Sequence, residues 1–138
     1  MKTALLTLLF WAFVFTLLNA QLGKTKTEIA GIHGWNFETG VTTDENKVNY
    51  IYYDKTFENN NGQKYDSRWV YYLNDKGYCN QKKVLEPVSE INAWIKTLNS
   101  DYVRIDKMKW KDYSTGVVYI VEAEENIVII TSFYEGDD

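Results

Sequence analysis

The chain contains one histidine, His33, and one cysteine, Cys79, which are the side chains best suited to form a nucleophile and its base. The two lie far apart in the sequence, and nothing beside either residue resembles a catalytic motif. A single histidine also excludes a histidine-rich metal site. We therefore expect His33 to be an exposed loop residue next to Gly34, and we expect neither a metal ion nor a cofactor.

Paired carboxylates are a second source of chemistry, since glycoside hydrolysis uses two acidic groups about 5–10 Å apart. Acidic candidates occur throughout the chain: Asp54, Glu58, Asp66, Asp106, Asp112, Glu122 and Glu124. Acidic residues are this common on any surface of net negative charge, and the chain is short for an enzyme that must also build a sugar cleft. A small hydrolase is thus the third hypothesis, and we expect the protein not to be an enzyme.

Calcium is a further possibility, because Asp44, Glu45 and Asn46, or Glu58 and Asn60, offer oxygen ligands. Neither group matches the D-x-[DN]-x-[DN]-G loop of a calcium site. Asn and Asp also cluster in turns, where their side chains bond the local backbone. Turn formation is the favoured interpretation.

Aromatic side chains have the greatest functional potential, since they make up 16% of the chain. Tyr50, Tyr52, Trp69 and Tyr71, followed by Tyr72, lie on two adjacent predicted strands. Alternation must turn some of them away from any covered face, and Tyr and Trp are enriched at binding hot spots. The alternative is that they form core on one face and cross-strand pairs on the other. Tyr50, Tyr52, Trp69 and Tyr71 are the candidate binding residues.

The elements that hold these residues follow a secretory signal peptide. Lys2 precedes an apolar run over residues 4–18, and Ala20 provides the small residue expected at a cleavage point. We predict cleavage after Ala20; an uncleaved anchor is the alternative, because Leu18 is large for its position. No cysteine follows the run, so a lipid anchor is not expected. The protein is predicted to be exported, either to the periplasm or out of the cell.

The remaining residues, 21–138, have the length of one domain. Loss of Lys2 with the leader changes the net charge from −4 to −5, and such a charge disfavours nucleic acid as a partner. The densest basic stretch, Lys107, Lys109 and Lys111, alternates with Met108 and Trp110. Period-two alternation predicts a strand with the lysines on its solvated face.

Cys79 cannot form an internal disulfide, because the chain has no second cysteine. It lies in a predicted strand beside Tyr78, where a buried and inert thiol is the favoured interpretation. An intermolecular disulfide or a reactive thiol is the alternative.

The hydrophobic pattern predicts two helices and six strands. A short helix begins near Thr25, which is a typical cap, and ends at Gly31 or Gly34. Pro87 opens a second helix over residues 88–99, where apolar residues recur at helical spacing. The predicted strands cover residues 48–54, 68–73, 78–85, 102–113, 117–123 and 127–134.

These elements predict an α+β fold in which an antiparallel sheet of about six strands packs against one main helix, in the order α-βββ-α-βββ. The order indicates a duplicated unit. The last two strands form a strongly apolar hairpin, which we expect at the centre of the sheet under the 88–99 helix.

Thr25, Glu28, Ile29 and Gly34, with the turn at residues 74–77, give the chain a layout that resembles beta-lactamase-inhibitory-protein-like α+β modules and outer-membrane assembly lipoproteins. The chain lacks the disulfide cysteines of the first group and the acylated cysteine of the second, so the resemblance transfers no activity. Residues 71–110 also resemble small exported bacterial proteins of unknown function.

The leading hypothesis is therefore a small exported binding or adaptor module without catalytic machinery, which acts through an aromatic-rich sheet face on a protein partner of the envelope. The alternative is a carbohydrate-binding or small-ligand-binding module that uses the same aromatic residues. The sequence leaves the oligomeric state open.

Overall fold

The computed structural model describes residues 21–136. These residues form one antiparallel sheet of eight strands with two short helices. The strands are β1 (Glu38–Val41), β2 (Asn49–Glu58), β3 (Lys64–Leu73), β4 (Cys79–Pro87), β5 (Val103–Asp106), β6 (Lys109–Asp112), β7 (Val117–Glu124) and β8 (Ile127–Tyr134). The helices are α1 (Lys26–His33) and α2 (Ile91–Asp101), and a 3-10 turn at Val88–Glu90 precedes α2. The predicted leader and its cleavage site lie outside the described residues.

The sheet is built from two copies of one layout, a helix followed by a four-stranded meander. Its strand order is β1-β2-β3-β4-β8-β7-β6-β5, so the last strands of the two copies meet at the centre. There Val84 of β4 pairs with Ile130 of β8 in antiparallel register. The strands of the second meander therefore run along the sheet in the reverse order, as a two-fold rotation about the β4–β8 pair would place them.

The predicted fold class, six strands against one main helix in the order α-βββ-α-βββ, is wrong. Sheet dominates the structure, each copy has four strands instead of three, and the two helices have only 8 and 11 residues. Neither helix can cover an eight-stranded sheet alone. The two short helices instead share one face.

Strand β1 was missed because its sequence carries no strand pattern. Its single apolar side chain, Val41, is exposed, and only Gly40 is partly buried. Hydrophobic alternation arises where one face of a strand is buried, and an exposed edge strand lacks that constraint. What places β1 is its ladder with β2, in which Thr39 pairs with Ile51.

The stretch predicted as one strand over residues 102–113 is a hairpin of β5 and β6. No Gly or Pro marks its turn, which is held by side chains: Arg104 Nε donates to the Lys107 carbonyl at 3.0 Å, and Asp106 accepts from the Lys107 amide at 2.8 Å. Lys107 consequently lies in the turn, whereas Trp110 is fully buried between Lys109 and Lys111 of β6.

Helix α1 begins as its sequence predicts. The Thr25 hydroxyl accepts from the Glu28 amide at 3.2 Å, and Glu28 accepts from the Thr25 amide, which together form a capping box. Gly34, at a φ of 98°, ends the helix. No helix among residues 21–136 is long and apolar enough to cross a membrane.

The core lies between the two helices and one face of the sheet, to which alternate residues of the strands contribute their side chains. Ile29 of α1 and Leu98 of α2 pack into it. They meet aromatic and aliphatic residues of both meanders, among them Ile51, Tyr53, Trp69, Tyr71, Val84, Trp110, Tyr119, Val128 and Ile130. Two features of this arrangement, the face without helices and a polar cluster within the core, are candidates for function.

Candidate functional site

The sheet face opposite the helices carries the tyrosine patch, which we define as Tyr50, Tyr52 and Tyr72. Tyr50 pairs with Tyr72 across the β2–β3 ladder, and their ring centres lie 5.7 Å apart. Tyr50 and Tyr52 are two residues apart on β2 and therefore point to the same face, where their ring centres lie 6.3 Å apart. All three side chains are half-buried, so part of each ring meets solvent.

Two cations lie against the tyrosine patch. The Arg68 guanidinium is 4.5 Å from the centre of the Tyr52 ring, and Lys83 Nζ is 5.7 Å from the centre of the Tyr72 ring. Arg68 is also oriented by Asp54, to which Nε and Nη2 donate at 2.8 and 3.0 Å. This bidentate pair holds the pKa of the Asp54 carboxyl below its usual value. The patch thus combines polarizable rings with fixed charges.

The four residues predicted as one binding surface lie on two faces. Tyr50 and Tyr52 belong to the tyrosine patch, whereas Trp69 and Tyr71 point to the helix side and are 6% and 0% exposed. The β2–β3 register explains the division, because Tyr52 pairs with Val70 and places both neighbours of Val70 on the opposite face. Tyr72, the neighbour of Tyr71, replaces it on the open face.

Trp69 and Tyr71 instead enclose a buried lysine. Lys82 is fully buried, its Nζ lies 4.4 and 5.1 Å from the two ring centres, and it donates to Gln21 Oε1 at 3.0 Å. Burial disfavours the ammonium ion and nearby Lys55 opposes it, which lowers the pKa of Lys82 to about 7. A lysine of this kind can carry or release a proton near neutral pH.

His33 belongs to a chain of hydrogen bonds that runs from Lys55 through His33, Tyr71 and Gln21 to Lys82. Lys55 Nζ lies 3.3 Å from His33 Nδ1, and the Tyr71 hydroxyl lies 3.2 Å from His33 Nε2. Burial, followed by the charges of Lys55 and Lys82, lowers the pKa of His33 to about 4, so the ring is neutral at pH 7. A neutral ring that accepts from Lys55 must carry its proton on Nε2 and donate to Tyr71.

Because the Tyr71 hydroxyl accepts from His33, its own proton can be donated to Gln21. Tyr71 donates to Gln21 Oε1 at 3.4 Å, and Lys82 donates to the same oxygen. Both lone pairs of the amide oxygen are therefore used. We call Gln21, His33, Lys55, Tyr71 and Lys82 the lysine cluster.

The histidine prediction is corrected by this geometry. His33 is the last residue of α1, half-buried against the rings of Tyr53, Trp69 and Tyr71, and not an exposed loop residue. Its polar contacts are Lys55 and Tyr71, and no hydrogen bond joins it to Cys79 in the described part of the chain.

Cys79 is buried and free, as predicted. Its thiol donates to the Gln81 carbonyl at 3.4 Å. Burial raises the pKa of the thiol to about 11, so Cys79 stays protonated at neutral pH.

The acidic candidates lie mostly at the surface, and the most buried carboxyl is one that sequence reasoning passed over. Glu86 accepts from Ser67 Oγ and Trp94 Nε1, each at 2.6 Å, and thereby ties α2 to the sheet. Burial raises the pKa of Glu86. Both of its oxygens are satisfied by neutral donors, which indicates a structural role.

The calcium candidates form turns. Asp44 Oδ1 accepts from the amides of Asn46 and Lys47 and from the Thr42 hydroxyl. Asn59 caps the β2–β3 turn in the same way, through the amides of Asn61 and Gln63. Within residues 21–136, no three His, Cys, Asp or Glu side chains come together as metal ligands.

Sequence reasoning missed Lys55, Lys82 and Gln21. Lys82 lies in a run of polar residues, 80–83, that is typical of a solvated strand. The only available signal was its phase, because Lys82, Val84 and Glu86 alternate toward one face. The alternation alone does not say which face of β4 is buried. The irregular β3–β4 pairing near Leu73 must be known first.

No family model matches this chain, and no curated protein and no solved structure matches it significantly. The layout resemblance to beta-lactamase-inhibitory-protein-like modules stays a prediction.

Proposed function

We propose that this protein is a small exported binding or adaptor module that acts on a protein partner of the cell envelope through the tyrosine patch. The observation that carries the proposal is the tyrosine patch, in which Tyr50 contacts both Tyr52 and Tyr72 on the face that neither α1 nor α2 covers. Tyrosines bury large area at low entropic cost, and interfaces are enriched in them.

The charges beside the patch define the partner further. Arg68 and Lys83 lie against the rings, Asp54 is bonded to Arg68, and Glu38 lies across the β1–β2 ladder from Tyr52 on the same face. Because cations and acids are equal in number around the rings, we expect a partner surface that carries charges of both signs. Trp69 and Tyr71 are not part of this surface, since both are buried on the other face.

Export is supported by the residues that precede the described part. A lysine, an apolar run and a small residue at position 20 are what the export machinery recognises. The free thiol of Cys79 suits an oxidising compartment because it is buried.

A carbohydrate-binding or small-ligand-binding module is the second candidate. Tyrosine rings flanked by the hydrogen-bonding groups of Arg68 and Asp54 have the chemistry that a sugar needs, namely a face for its C–H groups and partners for its hydroxyls. The same side chains would act in both cases, so the experiment must separate the two ligands.

The test is a pull-down from the native cell envelope with tagged protein, followed by mass spectrometry. We expect a stoichiometric protein partner that is lost with Tyr50→Ala/Tyr52→Ala and retained with Tyr113→Ala, a control tyrosine that is 65% exposed in the β6–β7 turn. Retention of the partner by the double variant would overturn the proposed surface. A bait that captures glycan and no protein would favour the second candidate.

A further inference from the structure

Only the oxygen of the buried Gln21 side-chain amide is hydrogen-bonded, and the nitrogen is not. Its side chain is fully buried, and Oε1 accepts from Lys82 Nζ at 3.0 Å and from the Tyr71 hydroxyl at 3.4 Å. Its Nε2 is the one buried side-chain nitrogen or oxygen of residues 21–136 that has no hydrogen-bond partner. Buried amide groups are normally satisfied on both atoms, so the unpartnered Nε2 requires an explanation.

Cleavage after Ala20 would make Gln21 the first residue, with a free α-amine close to its own side-chain amide. An amine in that position can attack Cδ. The N–Cδ bond forms, the Cδ–Nε2 bond breaks, and Nε2 leaves as ammonia with a proton from the amine. The product is a five-membered lactam, pyroglutamate, and the reaction needs no other reactant.

The hydrogen bonds of the Gln21 side chain match this reaction, because the oxygen that accepts hydrogen bonds is the atom that the product retains. Oε1 becomes the lactam oxygen and keeps Lys82 and Tyr71 as donors, whereas the unpartnered Nε2 is the atom that leaves. The two donors also point at the oxygen on which negative charge develops when the amine attacks Cδ, as in an oxyanion hole.

The charges around Gln21 favour the same product. The ion pairs within residues 21–136 are Lys24–Glu28, Arg68–Asp54 and Lys111–Glu135, so no carboxylate pairs with Lys55 or Lys82. An α-ammonium on Gln21 would add a third cation to the lysine cluster without a counter-charge. Cyclisation replaces that cation with a neutral amide.

We propose that Gln21 is a modification site, at which the new amino terminus cyclises to pyroglutamate and the lactam closes the core over Lys82. The proposal rests on the proposed export and on cleavage after Ala20. Lys82 and Tyr71 act as positioning residues that hold and polarise Oε1.

The test is mass spectrometry of the amino-terminal tryptic peptide, residues 21–24, from the full chain expressed in an export-competent host. A synthetic peptide Gln-Leu-Gly-Lys of different isotopic mass, added before digestion, reports any cyclisation during handling. We expect the protein's peptide to be lighter by one ammonia and the added peptide to be unchanged. A peptide that begins at Gln21 with a free amine overturns the modification and leaves export intact. A chain that begins elsewhere, or keeps residues 1–20, overturns both.

The role of the cluster is tested by following cyclisation in newly exported protein over time. Tyr71→Phe removes a donor to Oε1 and keeps the ring, and we expect it to slow cyclisation about tenfold. Tyr53→Phe is the matched control, because the Tyr53 hydroxyl donates to the Gly34 carbonyl at 2.7 Å and not to Gln21. Equal rates in Tyr71→Phe and the unaltered chain overturn the assistance by this site.

Discussion

Gly40 lies directly across the β1–β2 ladder from Tyr50, and the Tyr50 ring occupies the space that a side chain at Gly40 would need. A Cβ at this position would be 2.4 Å from both Cζ and Oη of Tyr50. The edge strand that carried no sequence signal therefore helps to set the position of a ring in the tyrosine patch.

Gly40→Ala is expected to displace the Tyr50 ring and to weaken partner binding several-fold. Stability should change by about 1 kcal/mol or less, since alanine is slightly favoured over glycine in a strand and the displaced atoms are the far end of a side chain. Binding and thermal unfolding of the variant measure the two effects. Unchanged affinity would show that Tyr50 does not contact the partner.

Trp69→Ala is expected to lower the free energy of unfolding by about 3–5 kcal/mol, because the indole is buried and its Nε1 donates to Ser67. Tyr52→Ala, on the open face, is expected to cost about 1 kcal/mol and to lose partner binding. Urea denaturation followed by circular dichroism compares the two variants. Equal losses of stability would contradict the division of the aromatic residues between two faces.

Lys82 makes stability depend on pH in a defined window. Its pKa of about 7 in the folded chain lies below the ordinary 10.5, so between pH 7 and 10.5 the unfolded chain binds more protons. Stability from this group rises through that window, by up to about 1.4 kcal/mol per pH unit, and is lost as pH falls toward 7. Cys79 opposes the trend above its ordinary pKa of 9, because burial raises its pKa.

The measurement is urea denaturation at several pH values from 7 to 9, where Cys79 does not interfere. Lys82→Met is expected to remove most of the rise, leaving the part due to Lys55, whose pKa burial also lowers. It should also stabilise the protein at pH 7, since it places an apolar chain between the rings. Lys83→Met, one residue away on the opposite face, should keep the rise. A rise of equal slope in Lys82→Met would assign the pH dependence to another group.

Cys79 is expected to react slowly with a thiol reagent at pH 8 in the folded protein and rapidly after unfolding in urea. The cause is its burial, which both blocks access and raises the pKa of the thiol to about 11. The reagent releases a coloured thiolate when it reacts with the cysteine, and the absorbance of that thiolate measures the rate. Similar rates in the folded and unfolded protein would restore the reactive-thiol alternative.

Local patterns predicted the elements whose signals come from neighbouring residues. Thr25 and Glu28 define the start of α1, Asn74 and Gly77 mark the β3–β4 turn, and the apolar runs of β7 and β8 identify a hairpin. The predicted β2 and β3 were too short, because most of their outer pairs, such as Glu58 with Lys64, are polar and carry no strand pattern.

The sequence by itself determined the cap of α1, five of the eight strands and the alternation that separates neighbouring aromatic residues, and it favoured a buried Cys79. Only the tertiary structure decided that β1 completes an eight-stranded sheet, that Trp69 and Tyr71 face the helices, and that Lys82 lies buried between them. The physical reason is that alternation defines two faces without saying which is covered. Strand register, helix placement and contacts between distant residues such as Gln21 and Lys82 make that choice.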